Sequence, residues 1–108
     1  MNIKAIWIEA ENWSDGEWTP IDDNTNVIVT LDDDSEWVAT FFTYTNINTL
    51  TKKNKLTGEC LSGKFFSASE MVLIDKVTRS RIKEVVTYLV NDKPLEFLSI
   101  FRRIEENK

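Results

Sequence analysis

The chain has 108 residues, a net charge of −5, one cysteine and no histidine. The lack of histidine excludes histidine-based catalytic triads and zinc sites, and a single cysteine excludes an internal disulfide. A hydrophobic fraction of 42% with 29% charged residues is typical of a folded globular protein, and we expect one domain over residues 1–108. Because the N-terminus does not resemble a signal peptide and no segment approaches the roughly 18 apolar residues of a membrane span, we expect a cytoplasmic location.

The first predicted element is a strand over residues 3–11, where the side chains alternate with a period of two. A loop rich in turn-forming residues follows. Within it, Asp15 and Gly16 favour a two-residue type I′ turn, because both central positions of that turn need positive φ. Such a turn would place Trp13 opposite Trp18 across a short hairpin.

A second hairpin is predicted over residues 26–44, and the rest of the chain is organised around it. Its two strands, 26–31 and 36–44, are rich in β-branched and aromatic residues. In the second strand, Val38 and Phe42 lie on the face opposite Phe41, so both faces are apolar. We therefore expect a central strand, with helices on one side and either aromatic cover or a partner on the other.

The middle of the chain gives weaker signals. Thr45 is a good N-cap for a short helix, residues 57–64 contain two glycines and are typical of a loop, and strands are predicted at 65–66 and 71–75.

The C-terminal third predicts two helices. Thr78 can cap the first, whose apolar residues recur with the spacing of one helical face: Ile82, Val85, Val86, Leu89 and Val90. Pro94 suits the first turn of the second. The predicted fold is α+β, an antiparallel sheet of about four to six strands with the C-terminal helices packed on one face.

Charge is divided unevenly along the sequence. Residues 1–51 contain ten acids and one base, a net charge of −9, whereas residues 52–108 contain eight acids and twelve bases, a net charge of +4. A crowded acidic surface attracts a cationic partner and repels nucleic acid and anionic lipid. The alternative is that these charges are solvated faces without a partner.

A partner-binding site is predicted on the aromatic and acidic loops. Tryptophan is enriched at binding hot spots because it buries much area at little entropic cost, and acidic neighbours would suit a basic protein. The candidate residues are Trp13, Asp15, Glu17, Trp18, Asp22, Asp23, Asp32, Asp33 and Asp34. Two alternatives remain: the tryptophans cover the core, or exposed tryptophans bind a small ligand or carbohydrate.

Motifs for catalysis and cofactors are incomplete. The segment Gly58–Lys64 has the GxxxxGK spacing of a phosphate-binding loop, but Phe65 stands where that loop needs Ser or Thr. The segment 32–36 lacks the glycine of a calcium-binding loop. We predict no catalytic, cofactor or metal residues and no enzyme activity; an enzyme using only Asp, Glu, Lys or Tyr is the alternative.

Several segments together resemble a group of small bacterial single-domain proteins. They are IWIEAE with a following W and GxW, then VIVTL, WVATFFTYTNI, TGECLSGKFFSASEM and the amphipathic C-terminal helix. That group is similar to the immunity proteins that accompany polymorphic or contact-delivered toxins. The resemblance implies a binding protein that neutralises a cognate toxin domain, and it transfers no functional residues.

Overall fold

The structure is a computed structural model that describes residues 1–13 and 18–105. Within these residues, five strands form one sheet in the order β1-β2-β3-β4, and β5 pairs with the same edge of β3 as β4 does. The strands are β1 (Ile3–Ile8), β2 (Asn24–Leu31), β3 (Glu36–Thr43), β4 (Met71–Ile74) and β5 (Arg102–Arg103). β4 is parallel to β3, and the other pairings are antiparallel.

The helical elements follow the main hairpin, which is formed by β2 and β3, apart from one short 3-10 helix after β1. They are the 3-10 helix Glu9–Asn12, α1 (Tyr44–Thr57), the short element α2 (Glu59–Gly63), α3 (Arg79–Asp92) and α4 (Pro94–Ile100). The predicted α+β class, with a sheet of four to six strands and C-terminal helices on one face, is confirmed. No helix in the described part of the chain is long and apolar enough to cross a membrane.

The inner face of the sheet carries the core. In β2 every second residue is buried, and the cross-strand pair Val27 and Ala39 shares this face with the buried Phe41. Helix α4 covers it through Phe97, which is fully buried, stacks on Phe101 with ring centroids 4.5 Å apart, and lies 5.9 Å from Trp37. The predicted helical lid and the central position of β3 are both confirmed.

Helix α3 begins where its sequence predicts. The Thr78 side chain accepts a hydrogen bond from the backbone N–H of Arg81, which satisfies one of the free donors of the first turn. The predicted apolar stripe supplies the buried residues Ile82, Val86, Leu89 and Val90. The 3.6-residue period thus places one face of α3 against the core.

Several sequence predictions are wrong in detail. The first strand ends at Ile8 and gives way to the 3-10 helix rather than continuing to residue 11. Helix α1 is capped by Thr43, not Thr45, and runs for 14 residues. Residues 65–66 form no strand, and β4 ends at Ile74.

The segment predicted as a loop forms a left-handed turn instead. Cys60, Leu61 and Ser62 all have φ between +50° and +58°, between Gly58 at +86° and Gly63 at +77°. Each non-glycine residue in this conformation costs about 1–2 kcal/mol. A run of three is unusual, and it folds the chain back against α1, where a Cβ on Gly63 would lie 2.4 Å from the carbonyl oxygen of Thr51.

Candidate functional site

The two loop tryptophans lie partly inside the molecule. Trp13 and Trp18 are half-buried and pack against the hydrophobic core. The indole Nε1 of Trp18 is buried and has no hydrogen-bond partner among the described residues. This geometry favours the alternative in which the pair covers the core. Asp15 and Glu17, together with the predicted turn at residues 15–16, lie outside the described residues.

Asp22 and Asp23 hold the loop before β2 against helix α1. Asp22 accepts hydrogen bonds from the side-chain amide of Asn46 (3.1 Å) and the hydroxyl of Thr49 (2.9 Å). Asn46 is buried, so these bonds satisfy an amide that water cannot reach freely. Asp23 accepts from the backbone N–H of Thr19 at 3.0 Å. Both carboxylates therefore have a structural role in addition to any role in binding.

The three aspartates at the hairpin tip are held by local contacts. Asp33 accepts hydrogen bonds from the hydroxyl and the backbone N–H of Ser35, and the hydroxyl contact is the main reason why the pKa of Asp33 is lowered. Asp34 forms an ion pair with Lys4, and Asp32 accepts from the side chain of Asn2. All three aspartates are exposed.

The predicted acidic residues that the structure describes do not meet in one patch. Asp22 and Asp23 precede β2, whereas the tip aspartates follow it, and β2 has eight residues. At about 3.3 Å per residue, the two groups are separated by roughly 26 Å along the sheet. A small ligand cannot touch both groups, but a protein domain can.

Among residues 1–13 and 18–105, one ion pair joins the acidic and basic parts of the sequence. Arg79 of α3 binds Glu11 in a bidentate manner, with nitrogen–oxygen distances of 2.6 and 2.8 Å, and also donates to the carbonyl of Ile6. The hydrogen bond from Arg79 lowers the pKa of Glu11. Six other carboxylates in the described part of residues 1–51 form no ion pair there: Glu9, Asp22, Asp23, Asp32, Asp33 and Glu36.

Trp7, which is not among the predicted site residues, lies on the outer face of the sheet, opposite the core. Trp7 pairs with Ile28, and Ile28 pairs with Val38, so three apolar side chains cross three strands in a line that we call the outer row. Trp7 is 45% exposed. The available signal was the alternation in β1, which sets Trp7 on the face opposite the buried Ile8.

One end of the outer face is closed. Phe42 is buried there beneath Phe66, with an edge-to-face contact at 5.4 Å. The side chain of Asn24 donates to that of Asn46 at 2.9 Å, which brings the start of α1 against this end. Along the rest of the outer face, Trp7 is exposed and Ile28 and Val38 are half-buried, so the outer row is partly accessible among the described residues.

The segment that resembles a phosphate-binding loop has a different structure. Gly58–Lys64 follows a helix, and its left-handed turn packs against that helix, whereas a phosphate-binding loop joins a strand to a helix. Within residues 1–13 and 18–105, no three acidic or cysteine side chains are grouped closely enough to hold a metal ion.

No family model, curated protein or solved structure matches the chain. The function must therefore be inferred from the geometry and charge of the chain itself.

Proposed function

We propose that this protein is an immunity-type binding protein that neutralises a cognate, cationic bacterial toxin domain by occluding its active site or surface. It acts in the cytoplasm by stoichiometric binding and performs no reaction of its own. The observation that supports the proposal is the set of six carboxylates of the first half that form no ion pair within the described residues.

Two bases of the second half are engaged away from that set. Arg81 forms ion pairs with Asp75 and Glu84, and Arg102 lies 3.6 Å from Glu70, so these bases pair with acids of their own half. The charge of Arg103 reaches the set, where it contributes to the lowered pKa of Asp33. The first half still has ten acids against one base, which gives it a negative field. Such a field accelerates encounter with a cationic protein and raises kon from about 10⁵–10⁶ towards 10⁸ M⁻¹s⁻¹ or more at low salt.

The test uses the purified product of the adjacent upstream gene, made as an inactive variant if it is toxic. We expect a one-to-one complex whose kon falls at least about tenfold when the salt is raised from low to high ionic strength. The double substitution Asp32→Asn with Glu36→Gln removes two exposed charges of the sheet and should lower kon at low salt.

A matched control removes two exposed charges elsewhere. Asp92→Asn with Glu96→Gln changes the net charge equally, at the end of α3 and the start of α4. Its kon should stay closer to that of the unmodified protein. If the upstream product is not toxin-like, does not bind, or binds at a rate independent of salt, the proposed function is wrong.

A further inference from the structure

The open part of the outer face has the composition of an interface rather than of a solvated sheet face. An antiparallel sheet with one covered face normally alternates apolar residues inward with polar residues outward. Here the outward positions include Trp7, Ile28 and Val38 in adjacent pairs. Directly opposed side chains on neighbouring strands have Cβ atoms about 5 Å apart, so the outer row is continuous across three strands.

The outer row is bordered by polar pairs. On one side, the Thr40 hydroxyl donates to the Asn26 side chain at 2.7 Å. On the other side, Thr30 pairs with Glu36. An apolar centre with a polar rim is the usual anatomy of a protein-binding surface.

Trp7 has the properties of an anchor residue. It stands on a strand rather than on a loop, so its backbone is held by the pairing of β1 with β2. Its exposed fraction is nearly half, which leaves a large aromatic surface available to a partner. A rigid, partly exposed tryptophan at the edge of an apolar row is typical of a binding hot spot.

Charge selects the occupant of this face. Carboxylates flank the outer row at both ends of the main hairpin, with Asp22 and Asp23 at one end and Asp32, Asp33 and Glu36 at the other. One base lies beside the row, because Arg102 pairs with Val38, and it forms an ion pair with Glu70. Two copies packed through this face would bring these like charges together, which is unfavourable. A cationic domain would place basic residues against both ends while its apolar centre covers the row.

We propose that the cationic partner docks on the outer face of the sheet, with Trp7, Ile28 and Val38 as the apolar centre of the interface. This inference rests on the proposed function and specifies its surface. It replaces the half-buried Trp13 and Trp18 with Trp7 as the aromatic anchor. The carboxylates at the two ends of the hairpin steer and orient the partner.

The experiment measures the Kd for the purified upstream gene product with two face variants and one control. Trp7→Ala should weaken binding by about 30-fold or more, as expected for a hot spot. Thr30→Lys, which places a bulky cation beside the outer row, should weaken it by at least about tenfold. Leu56→Ala, at a residue of α1 that is 89% exposed, should stay within about twofold.

Thermal melting and sedimentation accompany the Kd measurements. If the unmodified protein does not bind, the proposed function fails and the docking face fails with it. If it binds and both face variants bind within about twofold of it, the docking face alone is wrong. If it sediments as a dimer that Thr30→Lys dissociates, the face is occupied by a second copy, which also overturns the inference. Thr30→Lys provides the decisive test if Trp7→Ala unfolds.

Discussion

Replacing Gly63 by alanine should separate the left-handed turn from helix α1. The turn approaches α1 so closely that an added Cβ would lie 2.4 Å from the carbonyl oxygen of Thr51 and 3.2 Å from the backbone nitrogen of Lys55. Both contacts are to helix backbone, which cannot rotate away as a side chain would. Gly58 provides a matched control, because it also has positive φ but no atom lies within 4 Å of its added Cβ.

The two substitutions share one cost and differ in another. Each places alanine in a left-handed conformation, at about 1–2 kcal/mol, offset by about 0.4–1 kcal/mol from the reduced entropy of the unfolded chain. Gly63→Ala adds the steric cost of overpacking, about 1–3 kcal/mol. The difference in unfolding free energy between the variants should therefore be about 1–3 kcal/mol, with Gly63→Ala the less stable.

Urea denaturation followed by tryptophan fluorescence measures this difference, and amide hydrogen exchange in α1 detects a local release of the turn. Either global stability or protection of α1 should fall further in Gly63→Ala than in Gly58→Ala. Equal losses in both measurements would show that the close approach of Gly63 to α1 does not exist in solution.

Three further predictions concern the core, the loop tryptophans and pH. Phe97→Ala should lower the free energy of unfolding in urea by about 3–5 kcal/mol because the ring is fully buried. Leu95→Ala, at an exposed residue of the same helix, should change this free energy little. Trp13→Ala with Trp18→Ala should lower the free energy of unfolding by about 2–4 kcal/mol in thermal melting, since both rings pack on the core. An unchanged melting temperature would instead support a role for both rings in partner binding. Glu11→Gln should cost at most about 1 kcal/mol at neutral pH. Because the Glu11 pKa is lowered by its arginine partner, this stabilisation is complete above pH 4.5, the ordinary value, and is lost as the pH falls through the lower folded-state pKa. A difference from wild type that does not shrink as the pH falls below 4.5 would contradict it.

The elements with a strong side-chain period were predictable from sequence. The two-residue period of β2 and β3 gave the hairpin and the central strand, and the 3.6-residue period gave α3. The start of α1 is not predictable from sequence, because Thr43 and Thr45 are equally good caps by residue type. The buried contact of Asn46 with Asp22 belongs to the tertiary structure and leaves no local signal.

The left-handed turn and the outer row escaped prediction for different reasons. Cys60, Leu61 and Ser62 have no preference for positive φ, so only packing against α1 accounts for their conformation. The apolar outward face of β3 was visible in the sequence, but its neighbour in β1 depends on strand order and register. Once Ile28 is paired with Trp7, the tryptophan belongs to that face. Trp13 and Trp18 are predicted at the binding site because acidic residues lie close to them in sequence.

Successive residues of strand β3 lie on opposite faces of the sheet. Ala39 and Phe41 hold the interior together, whereas Val38, between Trp37 and Ala39, projects to the opposite surface. Substitutions at alternate positions of one strand can therefore change the exposed surface while the intervening positions keep the architecture intact. A surface of this kind can diverge in sequence without any change of fold.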